Sequence, residues 1–380
     1  MKRVYFDYNA TTPLDPQAAL AVERGLTNIF GNPSSIHREG CAAKRELDDA
    51  RHEMASFLGC HSDEIIFSGS GSESNNLAIK GIAESYREKG SHIVTSVVEH
   101  PSVLKTCQYL ESRGYQVTYL PVDEKGFFSL ADLASAVTDE TVLVTLMMAN
   151  NETGIISPVR EAAAIAQERG ALFHTDAVQA VGKINVNVQD LGVDLLSLAG
   201  HKFYGPKGSA VLYVKKGVKV EPQNHGGGQE GSLRAGTENI PAIMGLAEAS
   251  KGAKALQPAE YKKMQNLREL LKEGLCREID YVSFNGESEH TLPNTLSVTF
   301  DGISGESLIM ALDLEGFSLS AGSACASGAI KPSHVLTAMG LDEDKIKGTI
   351  RISLGRWNTK EDVENFLNVL PTVLKRLGKG

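Results

Sequence analysis

The sequence lacks the features that would assign it to several large classes of protein. It carries no excess of positive charge, since its formal net charge is -9, and this argues against a nucleic-acid partner, which needs a basic surface. Its longest apolar run, from Val142 to Ala149, is far too short to span a bilayer. Its first residues meet the acid Asp7 before any apolar stretch of signal-peptide length. We therefore expect a cytoplasmic protein with no membrane partner.

Cysteine is scarce and is not arranged for metal binding. The five cysteines are Cys41, Cys60, Cys107, Cys276 and Cys325. No Cys-x-x-Cys pair occurs, so the sequence contains no readable zinc or redox motif, and we predict no intrinsic metal. All except Cys325 fall within or next to predicted helices, where burial as a small hydrophobic side chain is expected.

The remaining chain alternates apolar strands with helices. Predicted strands cover residues 92–95, 117–120, 142–148, 171–175, 195–198 and 210–214. These runs are continuously apolar rather than alternating, which is typical of a mostly parallel sheet covered on both faces. The pattern predicts an α/β fold.

The character of the sequence changes after about residue 255. A charged helix is predicted over 261–279, and residues 295–300 alternate polar and apolar side chains. That alternation favours an antiparallel sheet with one face in water. We predict a large domain over residues 13–255 and a smaller α+β domain formed by residues 1–12 and 256–380.

A lysine follows one of the buried strands directly. Lys202 comes after the run 195–198 and precedes a Gly-Pro turn. Partial burial in such a loop lowers the pKa of an ammonium group because the charged form loses hydration. A neutral amine can form a Schiff base with an aldehyde cofactor. A surface lysine after an edge strand is the alternative.

A glycine-containing loop lies between a short strand and a helix. Residues 65–67 predict the strand, and Gly71 and Ser72 lie where the following helix begins. Backbone N–H groups and the helix dipole at such a point favour a phosphate. Many Ser-Gly loops before helices bind nothing, and this loop matches neither the dinucleotide fingerprint nor the P-loop.

Other polar residues follow predicted strands. Asp176 and Gln179 follow the strand at 171–175, His100 follows a strand, and Asn151 follows the run that starts at Val142. An Asp at that edge can pair with a protonated pyridine nitrogen, or it can simply cap a helix. The imidazole can stack on a flat cofactor or be a satisfied core residue, and the Asn-rich segment can be an ordinary turn. Together with Lys202, these positions predict a pyridoxal phosphate site.

The segment from about 318 to 332 consists almost entirely of small residues around Cys325. Ordering such a stretch costs entropy, so we predict a mobile loop. Cys325 is therefore the candidate nucleophile, acting as its thiolate. Arg351 lies in an apolar strand-like run, where a buried guanidinium needs an anion. That anion is either a substrate carboxylate or a structural Asp or Glu.

On the basis of these residues and their order, the chain resembles the cysteine desulfurases, which are pyridoxal phosphate enzymes of the fold-type-I (aspartate aminotransferase-like) group. It is most similar to the nitrogen-fixation, NifS-like type. The matching motifs run through nearly the whole chain, at residues 7–12, 31–37, 99–101, 149–154, 174–183, 200–202, 234–239 and 322–325.

The resemblance implies how the cofactor is held. Lys202 would carry it covalently, and Gly71, Ser72 and His201 would bind its phosphate. Thr237 of the partner subunit would complete this phosphate site, so the resemblance implies a homodimer.

The resemblance also implies contacts to the cofactor ring. Asp176 would pair with the ring nitrogen, Gln179 and Asn151 would reach the ring oxygen, and His100 would stack on the ring and take part in catalysis.

The implied reaction converts L-cysteine to L-alanine. Arg351 and Asn9 would bind the substrate, and Cys325 would take its sulfur as a persulfide. The sulfur would pass to an acceptor, such as a scaffold protein for iron–sulfur cluster assembly, so the persulfide on Cys325 would provide a transient contact with a cluster.

The sequence departs from the family pattern at four points. Ala199 stands where many relatives carry a serine hydroxyl, so one phosphate hydrogen bond is expected to be missing, at about 1 kcal/mol. Ser72 stands where Thr is frequent and keeps the hydroxyl, and residues 229–234 contain fewer arginines than usual. The chain ends soon after Leu377, without the longer tail of the housekeeping type, which leaves the sulfur acceptor open.

Two other functions are compatible with parts of this pattern. One is a pyridoxal phosphate lyase or aminotransferase with an incidental Cys325, and the placement of that cysteine argues against it. The other is a sulfur-carrier subunit without turnover, and the retained Lys202 argues against that. The sequence leaves open the pathway that uses the sulfur, whether nitrogenase clusters, general cluster assembly or thiolation of tRNA or DNA, and the activity on selenocysteine.

Overall fold

The computed structural model describes residues 3–286, 289–321 and 332–378. Its strands are, in chain order, β1 (Val4–Tyr5), β2 (Ile65–Ser68), β3 (His92–Ser96), β4 (Gln116–Leu120), β5 (Thr141–Thr145), β6 (Leu172–Asp176), β7 (Leu195–Ala199), β8 (Ala210–Val214), β9 (Val282–Asn285), β10 (Thr295–Phe300), β11 (Phe317–Ser318), β12 (Ser320–Ala321) and β13 (Thr349–Ser353).

Several helices begin at a residue whose side chain caps the helix or end at a glycine. They are α1 (Pro16–Asn28), α2 (Arg38–Leu58), α3 (Gly71–Ser85), α4 (Pro101–Glu111), α5 (Leu130–Ala136), α6 (Val159–Glu168), α7 (Val188–Leu191), α8 (Ile240–Glu278), α9 (Gly305–Leu314), α10 (His334–Ala338), α11 (Glu343–Lys347) and α12 (Lys360–Arg376). Asp15 caps α1 by accepting from two backbone N–H groups, and Gly59 ends α2 in the left-handed conformation that glycine adopts at low cost.

A seven-stranded sheet forms the first layer of the fold. Its strand order is β2-β8-β7-β6-β5-β3-β4, with β3 to β7 parallel and β8 antiparallel to both neighbours. This confirms the predicted α/β fold with a mostly parallel sheet. Adjacent residues point to opposite faces, so Leu195 and Leu196 lie in different apolar clusters, one on each side of the sheet.

A second, antiparallel sheet is formed later in the chain. Its order is β12-β13-β10-β9. The prediction that one face of β10 would lie in water is wrong, because Thr295, Ser297 and Thr299 are all buried. Their hydroxyls are paired inside the protein, as in the 2.7 Å contact between the hydroxyls of Thr299 and Thr349. Buried hydroxyls with partners are stable in a core, so the alternation of polar and apolar residues did not indicate an exposed face.

Helix α8 connects the two cores and is much longer than predicted. It runs for 39 residues and contains Pro258. Residues 240–253 pack on the first core, whereas residues 264–275 pack on the second, together with Val4 and Phe6 from the start of the chain. The predicted boundary near residue 255 falls between these two stretches, and the division into domains stays a prediction.

Within the described residues, no helix is long and apolar enough to cross a membrane.

Candidate functional site

A cavity of about 420 Å³ opens at the carboxyl ends of β6 and β7. This is the edge at which α/β sheets bind ligands. The predicted site residues that line it are Asn9, Gly71, Ser72, His100, Asn151, Asp176, Gln179, His201, Lys202 and Arg351. The structure therefore brings together residues that are far apart in the sequence.

One end of the cavity is the start of helix α3. Ser70 caps the helix by accepting from the N–H of Glu73, and the N–H groups of Gly71 and Ser72 have no partner within the described residues. A β-carbon at Gly71 would lie 2.8 Å from Val178, so only glycine lets the backbone approach this closely. Free N–H groups at a helix start form an anion site.

His201 stands beside this anion site as a neutral ring. Its Nδ1 lies 3.1 Å from the hydroxyl of Thr11. Burial, followed by the nearby cation of Lys202, lowers the pKa of His201 to about 4. A neutral imidazole can donate one hydrogen bond to an anion without adding charge.

Lys202 reaches into the cavity from a short turn after β7. Its Nζ donates to the backbone oxygens of Asn9 at 2.6 Å and Ala10 at 2.9 Å. Burial, then the charge of Arg351, lowers its pKa to about 8, while Asp176 and Asp7 act in the opposite direction. The amine is therefore partly neutral near physiological pH, as covalent chemistry with an aldehyde requires.

The turn that carries Lys202 is held in an unusual conformation. Tyr204, two residues later, has a φ of 69°, which is uncommon for a residue with a side chain. Its N–H donates to the hydroxyl of Thr12 at 2.8 Å, and its own hydroxyl accepts from the N–H of Arg356 at 2.6 Å. Such contacts compensate for a strained backbone and fix where the lysine emerges.

Asp176 is the last residue of β6 and is nearly fully buried. One carboxylate oxygen accepts from Asn75 Nδ2 at 2.7 Å, and the other accepts from the N–H of Val178 at 3.0 Å. These donors hold the carboxylate in one orientation toward the cavity, where it can pair with a cationic ring nitrogen.

His100 is the residue that caps helix α4. Its Nδ1 accepts from the N–H of Ser102 at 3.1 Å and lies 2.8 Å from the Ser102 hydroxyl. The ring is accessible to solvent in the cavity, yet it is surrounded by enough protein that desolvation lowers its pKa. The structure thus places His100 in an open pocket rather than in the core.

Gln179 and Asn9 meet at a buried amine. Lys183 Nζ donates to the side-chain oxygens of Gln179 at 2.6 Å and Asn9 at 2.9 Å. Burial lowers the pKa of Lys183 well below its usual range, and the cation of Lys202 acts in the same direction. Because Nζ donates to both oxygens, it fixes the two side-chain amides with their oxygens toward it.

Arg351 lies on β13 and lines the same cavity. Its guanidinium donates to a carboxylate oxygen of Asp7 at 2.8 Å and to the backbone oxygen of Asn151 at 2.9 Å. Its Nε is buried and has no partner within the described residues. An unpaired buried donor on a cation is costly, so this edge of Arg351 is suited to an anionic ligand.

The segment after residue 331 is attached next to the cavity. The Ser333 hydroxyl donates to the buried carboxylate of Glu152 at 2.5 Å. His334 Nε2 lies 2.9 Å from the backbone oxygen of Glu99. Cys325 and most of the predicted mobile loop lie outside the described residues.

One predicted site residue, Thr237, lies outside the lining of the cavity. Thr237 is exposed and does not line the cavity of its own chain in the part that the structure describes.

The expected burial of the other cysteines is wrong for Cys41 and Cys276, which are exposed, whereas Cys107 is buried and Cys60 is partly buried. Membership of a helix does not indicate which side of it faces the core.

Sequence reasoning gave no role to Asp7, Asn75, Ser102 or Lys183. Asn75 lies one turn after Gly71 on α3, and Lys183 lies four residues after Gln179. Both spacings bring side chains close on a helix or a turn. Asp7 carried no such signal, because its partner Arg351 is brought near only by the tertiary fold. Ser102 lies two residues after His100, but its second partner, Asn75, comes from another helix.

Comparison with known proteins agrees with this geometry. The family described as Aminotransferase class-V matches residues 4–366. The chain is 47% identical to the cysteine desulfurase IscS of Methanosarcina thermophila over 376 residues, which cover 99% of this chain and 93% of that protein. It is 43% identical to a cysteine desulfurase of a Nostoc species, with 99% and 94% coverage.

Solved structures give the same result. A structure titled as a NifS-like protein matches with a TM-score of 0.93 at 39% identity, over 99% of this chain and 100% of the other. A structure titled as SspA in complex with cysteine matches with a TM-score of 0.82 at 37% identity, over 93% and 99%.

The chain therefore belongs to the class-V aminotransferase family, whose fold carries pyridoxal phosphate-dependent enzymes. Within that family it is a member of the cysteine desulfurases, as the resemblance implied.

The residues of the cavity fit pyridoxal phosphate. The free N–H groups at the start of α3 suit a phosphate, and the Asp176 carboxylate suits a protonated ring nitrogen. Lys202 supplies the amine for the aldehyde. In the structure Ala199 also lines this cavity and offers no hydroxyl there.

Proposed function

We propose that the cavity converts L-cysteine to L-alanine and passes the sulfur to Cys325. The observation that carries this proposal is the convergence of three charged groups on one cavity: the amine of Lys202, the carboxylate of Asp176 and the buried guanidinium of Arg351. Together they match an aldehyde cofactor with a ring nitrogen and an amino acid substrate with a carboxylate.

Each group of the cofactor has a proposed partner. Gly71, Ser72 and His201 would hold the phosphate, and Asp176 would hold the ring nitrogen. When bound, pyridoxal phosphate supplies an electron sink for the bonds of the substrate's α-carbon. Gln179 and Asn151 would approach the ring oxygen, and His100 would lie on the face of the ring.

Lys202 would have two tasks at one atom. Its Nζ would hold the cofactor by its aldehyde and would be free for a second task once the substrate amine is bound there. The free Nζ would then move the substrate's α-proton as a general base, which its lowered pKa of about 8 favours.

Arg351 would bind the substrate carboxylate through its unpaired Nε edge. Asn9 lines the same region, but its side chain is already bonded to Lys183, Asn294 and Thr295. We therefore propose that Asn9 positions the backbone and the neighbouring amides rather than contacting the substrate directly.

Cys325 would receive the sulfur. Its thiolate forms an S–S bond with the substrate sulfur while the carbon–sulfur bond breaks. The electron pair remains on carbon, which takes up a proton to give alanine, and the enzyme retains a persulfide. The persulfide would then pass its outer sulfur to a scaffold protein for iron–sulfur cluster assembly, and nitrogen fixation is one process that would draw on such clusters.

We further propose a cytoplasmic homodimer. Thr237 is exposed and is not among the described residues that line its own cavity, which suits a role at the phosphate of the partner subunit. The negative net charge of -9 suits a protein that does not bind nucleic acid. Light scattering after gel filtration tests the dimer, and a Thr237→Ala variant with unaltered cofactor affinity would argue against its place in the phosphate site.

The reaction is tested with purified protein, L-cysteine and a thiol reductant, by measuring sulfide and alanine together. We expect equal amounts of both products, loss of sulfide in Cys325→Ser, and mass-spectrometric detection of a persulfide on Cys325. Cys276→Ser is the matched control, because Cys276 is an exposed cysteine outside the cavity. Sulfide production that survives in Cys325→Ser would overturn the persulfide step, and amine transfer to a 2-oxo acid without sulfide would indicate an aminotransferase instead.

A further inference from the structure

Ser102 occupies the first turn of α4, two residues after His100. Its hydroxyl lies 2.8 Å from Asn75 Nδ2 and 2.8 Å from His100 Nδ1. The same Asn75 nitrogen lies 2.7 Å from the Asp176 carboxylate. A continuous series of hydrogen bonds therefore runs from Asp176 through Asn75 and Ser102 to His100.

The direction of each bond follows from the chemistry of the groups. The ionised carboxylate of Asp176 can only accept, so it sets the orientation of the Asn75 amide with its NH₂ group toward the site. The two hydrogens of that nitrogen are donated to Asp176 and to the hydroxyl of Ser102. Ser102 Oγ thus accepts from Asn75, and its single hydrogen remains for His100 Nδ1.

A second donor acts on the same ring nitrogen. The backbone N–H of Ser102 points at His100 Nδ1 with a distance of 3.1 Å. This geometry is fixed because Pro101 begins the helix and His100 is its capping residue. Two donors on Nδ1 require a lone pair there, so the proton of the neutral ring lies on Nε2. Within the described residues Nε2 has no hydrogen-bond partner, so that N–H is available to a ligand.

We propose that Ser102 is a positioning residue that, together with Asn75, links Asp176 to His100 and keeps the ring proton of His100 on Nε2. This inference rests on the proposed function only in assuming that His100 faces the bound cofactor. His100 then presents a neutral N–H to the reacting groups, and the orientation of the imidazole depends on the same amide that orients the Asp176 carboxylate.

The charged groups around His100 influence its protonation in opposite directions. Desolvation lowers its pKa, the negative charge of Asp176 raises it, and Lys202 and His334 lower it. The hydroxyl of Ser102 also favours the neutral ring. In the imidazolium form Nδ1 would carry a proton, and that proton would point at the hydrogens of the Ser102 hydroxyl and of the Ser102 backbone N–H. Removing that hydroxyl should therefore raise the pKa of His100 and allow some of the ring proton to move to Nδ1.

The direct test is nitrogen NMR of histidine-labelled protein, with and without pyridoxal phosphate. A His100→Gln variant identifies the His100 signals among the ten histidines. We expect the Nε2–H tautomer in the unsubstituted protein, and in Ser102→Ala a larger Nδ1–H fraction and a higher pKa of His100. Ser102→Thr keeps the hydroxyl and should restore both. Desulfurase kcat/KM should fall about threefold to tenfold in Ser102→Ala, as for one lost hydrogen bond, with the acid limb of its pH profile moved to higher pH.

Ser112→Ala is the matched control, since Ser112 lies at the other end of the same helix and its hydroxyl bonds only to Tyr109 within the described residues. An Nδ1–H tautomer in the unsubstituted protein, or the same tautomer and pKa in Ser102→Ala, would overturn the proposal. The NMR result does not depend on turnover, so a protein with the expected tautomer but no sulfide production would contradict the proposed function alone.

Discussion

The two walls of the cavity differ in how completely their polar groups are paired. On the wall formed by the sheet edge, both oxygens of Asp176 have donors, and among the described residues that line the cavity there the buried side-chain atom without a partner is the neutral oxygen of Asn75. On the wall formed by β13, Arg351 retains a buried donor on a cation without a partner in the described residues. The Arg351 cation is paired with Asp7, but a buried donor without a partner is more costly on a charged group than on an amide. The side chains of the first wall are therefore largely paired within the protein, and only backbone N–H groups at the start of α3 remain for a phosphate, whereas the second wall offers a charged side-chain donor to a ligand.

The largest effect is expected from Arg351→Met, which removes the cation of the second wall. We expect kcat/KM for L-cysteine to fall about 100-fold or more, because an ionic partner of the substrate is lost. The amount of bound cofactor should stay the same. Steady-state kinetics and the cofactor absorbance measure these quantities separately. A large loss of cofactor in this variant would show that the two walls do not have separate tasks.

An intermediate effect is expected from Lys183→Met on the first wall. The substitution leaves the buried oxygens of Gln179 and Asn9 without their shared donor. Affinity for pyridoxal phosphate should fall about tenfold, as expected for a buried polar group left unpaired. Titration of the apoprotein by fluorescence measures this change. Lys183→Gln retains a donor and should lose less, and equal losses in both variants would contradict the proposed role of the amine.

The smallest effect concerns the pH at which Lys202 reacts with the cofactor. Only the neutral amine reacts, so uptake by the apoprotein should rise with pH and level off above about 8. Arg351 lowers the pKa of Lys202, so Arg351→Met should raise it and slow uptake at pH 7 by about threefold. Asp7 raises the pKa, so Asp7→Asn should accelerate uptake at pH 7. Stopped-flow absorbance from pH 6 to 10 measures both, and changes of the same sign would refute this electrostatic explanation.

The first wall was predictable from the sequence to a large extent, whereas for the second wall the sequence indicated Arg351 but not its partners. Parallel strands end at one edge, so Asp176 and Lys202 could be placed together once their strands were recognised. The glycine at residue 71 marked the start of α3 in the same way. The hydrogen bonds of Arg351 to Asp7 and Asn151 join parts of the chain that only the tertiary fold brings together.

The wrong predictions have a common physical cause. Residues 295–300 alternate polar and apolar side chains, but their hydroxyls are satisfied inside the protein, so polarity did not mark an exposed face. Cys41 and Cys276 lie on exposed sides of their helices. The predicted helix at 261–279 was too short, because the exposed residues around Pro258 interrupt its pattern of apolar residues without ending the helix. In each case the local sequence pattern did not show how the rest of the fold surrounds the segment.

The continuity of helix α8 also fixes the rotational phase between the two cores. Each residue of an α-helix adds about 100° of rotation and about 1.5 Å of rise. One residue inserted near Pro258 would therefore turn the core that carries Arg351 by nearly a third of a circle relative to the core that carries Lys202. Seven inserted residues would almost restore the phase while separating the cores by about 10 Å. The length of this helix thus sets both the rotation and the separation between the substrate side of the cavity and the cofactor side.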